Sequence, residues 1–222
     1  MNWTVIAEIC TAVGTLVLAV ATFASVRSGN RSARLTERSL LDGTRPLILP
    51  SRPQDPEEKV GFADDHWVHV PGGRGSAEVI GDAVYLAIAI RNVGAGLAVL
   101  NAWKLYPDRS GLDGRQPTLD GFHRLTRDLY IPSRDTGFWQ GTFRDPTAAA
   151  FKEAAEIITA REPFAIDILY GDGEGGQRVV TRFNLIPSTI DGGWVAIVSR
   201  HWNLDRVDPR NSRDVNPPPR VS

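Results

Sequence analysis

The stretch "DDHWVH" gathers four side chains that bind metals, Asp64, Asp65, His66 and His69. Imidazoles at i and i+3 share a face on a helix, but on a strand they point to opposite faces. This stretch reads as a loop running into a strand, so Asp65, His66 and His69 are weak candidates for a zinc or iron site. "GDGEGG" places Asp172 and Glu174 where oxygen ligands for calcium could stand, yet the spacing does not fit an EF-hand loop. A solvated hairpin turn is the expectation there. "RNVGAGLAV" holds Gly94 and Gly96 after an apolar run, two of the three glycines of a dinucleotide-binding turn. Val99 occupies the third position, and no helix and parallel strand follow. Asn92 and the two glycines suit a tight strand connection, which is the reading adopted. No Gly-x-Ser-x-Gly elbow, phosphate loop or His-Glu-x-x-His is present. The expectation is no catalytic residue and no cofactor, although distant residues could still assemble a site.

Arginines and aromatics interleave in "FHRLTRDLYIPSRDTGFW". Tyr, Trp and Arg are enriched where proteins bind each other, so Arg124, Arg127, Tyr130, Arg134 and Trp139 are the candidate interaction surface for an unknown protein partner. Nucleic acid is not expected: the formal net charge is -1, which supplies no general attraction to phosphate. One cysteine, Cys10, excludes an intrachain disulfide. Lysine occurs only at Lys59, Lys104 and Lys152, and this arginine bias, with abundant Ala, Gly and Pro, fits a GC-rich bacterial genome.

Two kinds of element must carry these residues. The first is an N-terminal helix. No charge falls between Ile9 and Val26, and that length of helix reaches roughly 27 Å, close to the thickness of a bilayer core. Residues 1–26 are therefore expected to form a transmembrane helix, with Trp3 as an interfacial anchor. A cleaved signal peptide competes, but it calls for basic residues ahead of the apolar run. Arg27, Arg31, Arg34 and Arg38 follow the span, and the N-terminal flank has no Lys or Arg. The positive-inside rule then leaves the N-terminus outside and the domain in the cytoplasm of a bacterial inner membrane. Glu8 is expected to reach the interface. Ala7, Thr11, Thr15 and Ala19 form a small-residue ladder that permits self-association in the lipid bilayer. Residues 27–43 are expected to form a basic juxtamembrane helix, about Asn30 to Asp42, ending at Gly43.

The second kind is strand. "PLILP", "HWVHV", "AVYLAIAIRN", "LAVLNAWKLY", "DLYIP", "TGFWQGTF", "FAIDILYG", "RVVTRFNLI" and "WVAIVSR" are short, β-branched or aromatic, and separated by turn residues. Residues 44–204 are thus expected to be mainly β, an immunoglobulin-like antiparallel β-sandwich. One helix is inserted, with Asp145 as N-cap, Pro146 at the first helical position, and Phe151, Ala154, Ala155 and Ile158 on its apolar face. Residues 205–222 read as a disordered Pro-rich tail in which Pro217–Arg220 could offer a polyproline helix.

"LAIAIRNVGAGLAVL", "IPSRDTGFW" and "ILYGDGEGGQRVVTRFNL" together resemble a pattern found in uncharacterised bacterial single-span membrane proteins with a C-terminal β-sandwich. The resemblance covers the span and most of the domain and implies architecture; the extra glycines of "YGDGEGG" and the inserted helix depart from it. The function expected is a membrane-anchored cytoplasmic interaction or scaffold module. A membrane-tethered enzyme or metal-binding protein, and an extracytoplasmic sensor or envelope protein, remain open alternatives.

Overall fold

The computed structural model describes residues 3–108, 114–208 and 210. It divides into two units, residues 1–43 and residues 44–222. The first is a single helix, α1 (Trp3–Gly43), of 41 residues. The expected break between a span and a juxtamembrane helix is absent: residues 27–43 continue the same helix, because no proline interrupts "RSGNRSARL" and the lone Gly29 only weakens it. Within α1, Ala12–Ala33 is long and apolar enough to cross a membrane, a test that a signal sequence also passes. Trp3, Thr15, Ala19, Arg27 and Arg31 are exposed. The side chains of Ala7, Glu8, Thr11, Arg34 and Arg38 lie outside the described residues.

The second unit is mainly β and antiparallel, as expected. Its strands are β1 (Ile48–Pro50), β2 (Glu58–Gly61), β3 (Trp67–Val70), β4 (Arg74–Ile80), β5 (Ala83–Asn92), β6 (Ala98–Tyr106), β7 (His123–Ile131), β8 (Thr136–Phe143), β9 (Phe164–Gly171), β10 (Arg178–Pro187) and β11 (Trp194–Asn203), with α2 (Ala149–Thr159) between β8 and β9. The main sheet runs β1-β5-β4-β11-β10-β9-β6-β7, and β8 pairs with β5. Only Trp194↔Gly75 and Val195↔Arg74 join β11 to β4. The sheet curls at that narrow join, so β1, β4, β5 and β8 share one core with β6, β9, β10 and β11.

Strand alternation explains how this core is filled. Val84, Leu86, Ile88 and Ile90 of β5 meet Phe164, Ile166, Ile168 and Tyr170 of β9, and Val179, Phe183 and Leu185 of β10. The opposite faces are buried as well. The β2–β3 hairpin lays Val60, Val68 and Val70 on Tyr85, Ala87 and Ala89 of β5. Ala102, Leu169, Val180 and Trp202 pack under Leu119, Phe122 and Leu204. Double coverage is why "AVYLAIAI" is continuously apolar rather than alternating. α2 packs against β4 and β5 and buries Phe151, Ala154, Ile157 and Ile158. The expected start of α2 is corrected. Ala148 is the N-cap, and Asp145 instead accepts from the Thr147 N–H at 2.9 Å and its hydroxyl at 2.6 Å, closing a separate turn.

The Asn92–Leu97 turn is a strand connection, but one that crosses the core, since β5 and β6 pair with different neighbours. It grips the chain that leaves α1. A Cβ on Gly94 would lie 2.3 Å from the Arg45 carbonyl oxygen, and one on Gly96 would lie 1.8 Å from that of Thr44. Asn92 Oδ1 accepts from the N–H of Leu47 at 3.2 Å and of Gly94 at 2.9 Å. Its Nδ2 donates to the carbonyls of Gly96 at 2.6 Å and Ile131 at 3.1 Å. The Ile48 N–H donates to the Tyr170 hydroxyl at 3.2 Å. Arg45 forms a bidentate pair with Asp205, 2.9 and 2.5 Å. The ordered chain therefore extends past Asn203: Asp205 is tied down and Asp208 is buried, a correction to the expected tail start. Pro217–Arg220 lies outside the described residues.

Candidate functional site

The most distinctive feature of the domain is the place where the curled sheet fails to close. β6 and β7 leave register between Leu100↔Leu129 and Ala102↔Arg124. Leu125–Asp128 thus oppose Asn101 alone, a bulge of four residues against one. β8 pairs with β5 from Val84↔Phe143 to Arg91↔Thr136 without a shift. Among the described residues no ladder joins β7 to β8; the Pro132–Asp135 turn links them. A cleft of about 180 Å³ opens there, walled by Arg124, Thr126 and Arg127 on one side and Gln140 and Thr142 on the other.

Its floor is aromatic. Trp103 meets Trp139 edge-on with ring centroids 5.3 Å apart, and Phe143 at 5.0 Å. The His123 ring lies 5.1 Å from Trp103 and 5.3 Å from Phe143. Gly141 makes this possible, because a Cβ there would come within 2.8 Å of the Trp103 ring. The walls are basic. Arg127 donates to the Gln140 amide oxygen at 3.2 Å, and neither Arg124 nor Arg127 has an acidic partner among the described residues. The nearby Asp128 accepts instead from the Tyr130 hydroxyl at 3.2 Å, which holds that phenol above its ordinary pKa.

Four of the five residues expected on an interaction surface are exposed. Arg124, Arg127 and Tyr130 lie on β7, and Arg134 stands in the following turn with a φ of 64°. Trp139 is a correction. It is 0% exposed, because the odd-numbered residues of β8 face the core, and it supports the floor from beneath. His123 and Gln140 were not singled out by sequence; their neighbours across the cleft come from strands that are distant partners in the ladder order.

The metal candidates do not converge. His66 and Val68 turn inward on the hairpin, and His69 turns outward. His66 packs on the Tyr85 ring at 4.2 Å and stands 3.3 Å from Glu78. His69 bonds to Glu57 at 2.5 Å. Asp65 is exposed with a φ of 61°. Asp64 binds Arg144 at 2.7 Å and the Tyr85 hydroxyl, and these partners, Arg144 first, hold its carboxyl far below the usual range. Among the described residues no three of His, Cys, Asp and Glu gather around one point. Asp172 accepts from the Gly176 N–H at 2.8 Å inside the β9–β10 turn.

A second charged group lies on the covered outer face of β9 and β10. Arg182 and Asp167 form two hydrogen bonds of 2.6 and 2.7 Å, almost fully buried. The guanidinium is stacked between Tyr106 at 5.0 Å and Trp202 at 4.9 Å. Burial pushes the Tyr106 phenol up to about 12, with the Asp167 charge adding to it. The two hydrogen bonds of the pair join β10 to β9 through their side chains. Compared with known proteins, the chain matches no family model, and no curated protein matches it in sequence.

Proposed function

We propose that the protein is a membrane-anchored, non-catalytic interaction module of a bacterial cytoplasmic membrane. α1 is its single span, the N-terminus is outside, and the β domain is in the cytoplasm. The open β7–β8 cleft carries this reading. It joins exposed strand edges, two arginines without acidic partners and an aromatic floor, the combination that protein-binding sites use. The orientation is supported by Arg27, Arg31, Arg34 and Arg38 on one side of the apolar stretch only. The sequence resemblance to bacterial single-span proteins supports the same architecture. Anchoring confines the cleft to two dimensions and raises its effective concentration for a partner at the same membrane.

Proximity labelling in living cells, with the labelling enzyme at the C-terminus, tests it. Recurrent labelling of a few cytoplasmic proteins is the expected result. Labelling confined to the envelope side would overturn the orientation and turn the domain into an extracytoplasmic receptor.

A further inference from the structure

We infer that the cleft receives an extended acidic peptide segment of a partner protein, added as a strand to the free edge of β8. The inference rests on the interaction reading above and names the ligand of that same site. Every second residue of a strand aims its N–H and C=O at one neighbour. With β5 on one side, the β8 backbone groups that point away from it join no ladder among the described residues, and Gln140, Gly141 and Thr142 line the cleft. Exposed edges are ordinarily blunted by lysine, proline or a bulge. β8, "TGFWQGTF", has no charge, no proline and no register shift. β7 across the cleft has the features β8 lacks, with its bulge and its arginines. Among the described residues, this regular and uncharged edge faces the β7 wall across the cleft.

That wall selects the ligand. Arg124 and Arg127 have no acidic partner among the described residues, and guanidinium groups pair bidentately with carboxylates. A strand lying on β8 alternates its side chains, so acidic residues two apart would reach the arginines while the residues between them pack toward the Trp103 floor. A second copy of this chain cannot supply such a strand through β8 itself, which has no acid.

The test uses the full chain in detergent micelles and a fluorescent capped peptide of eight residues, the length of β8, alternating Glu and Val. Three comparison probes are the Lys–Val peptide, the Glu–Val peptide N-methylated at alternate residues, and a single-stranded oligonucleotide. The Glu–Val peptide should bind saturably. N-methylation, which removes ladder donors, should weaken it by roughly tenfold or more. The double variant R124E/R127E alters exposed side chains and should keep its melting temperature while exchanging preference from the Glu to the Lys peptide. With these probes the inference is overturned by no saturable binding up to ~1 mM, by equal binding of the N-methylated peptide, or by displacement by the oligonucleotide at similar concentration. If cellular partners are still captured by R124E/R127E, the interaction reading stands and this ligand assignment falls.

Discussion

Asn92 divides one side-chain amide among four backbone groups from three segments, using its full hydrogen-bonding capacity. It is 1% exposed, so removing the amide strands buried donors and acceptors. Asn92→Ala should lower stability by about 2–4 kcal/mol, measured by urea unfolding of the full chain in detergent. Gly96→Ala should be at least as damaging, since its methyl would overlap the Thr44 carbonyl. The Arg45–Asp205 pair gives a pH signature. The Arg45 guanidinium holds the Asp205 carboxyl below its ordinary value, so its contribution is complete above the unfolded value of about 3.9 and disappears as pH falls through the lower folded value. Asp205→Asn should therefore lower the melting temperature at pH 6 and lower it less at pH 2. An equal deficit at both pH values would show that the bond acts without its charge. The asparagine and glycines were legible as a strand connection. Their grip on Thr44–Leu47 was not, because it depends on chain segments more than forty residues apart.

Among the elements, β9 and β10 illustrate what periodicity does and does not reveal. Their alternation is visible, with Phe164, Ile166 and Ile168 opposed to Ala165, Asp167 and Leu169. A polar residue on the second face suggests solvent, yet Asp167 and Arg182 are buried because the loop carrying Leu119 and Phe122 and the strand carrying Trp202 roof that face. A buried pair of this kind resists loss of one member more than loss of both. Asp167→Asn should cost about 3–5 kcal/mol, whereas Asp167→Leu with Arg182→Met should stay within roughly 1–2 kcal/mol of the parent. Comparable losses in both variants, read from melting curves, would contradict that account. β2 and β4 escaped the sequence reading for related reasons. "EKVG" has one apolar residue, and "RGSAEVI" follows a Pro-Gly-Gly turn and begins with polar and glycine positions. Both gain their strand geometry from a partner: β2 from β3, and β4 from β5. The cleft was half legible. The arginines of β7 stand out in sequence, but Trp139 was placed on the wrong side, since only the pairing of β8 with β5 shows which of its residues face inward.

At the scale of the whole molecule, the charge asymmetry about the apolar stretch fixes the expected topology. Changing Arg27, Arg31, Arg34 and Arg38 to Gln, while placing arginines ahead of Trp3, should reverse the orientation in a substantial share of molecules. Accessibility of the C-terminal domain to protease added outside spheroplasts reads this directly. Persistent protection would show that the arginines do not decide it. The mainly β character and the apolar helix were evident from composition and pattern alone. The narrow β4–β11 join and the failure of β7 to meet β8 were not, since they follow from register, which a single strand's residues do not encode. The grip of the Gly94–Gly96 turn on the chain leaving α1 also has a mechanical meaning. A tether fastened to a terminal flap peels away one bond at a time under load. Here a pull on the anchor meets several fasteners together: the Asn92 amide, the Arg45–Asp205 fork, the Ile48 link to Tyr170 and two glycines seated against the backbone. The attachment behaves as a rivet set into the sheet, so tension applied along α1 is carried by the body of the domain.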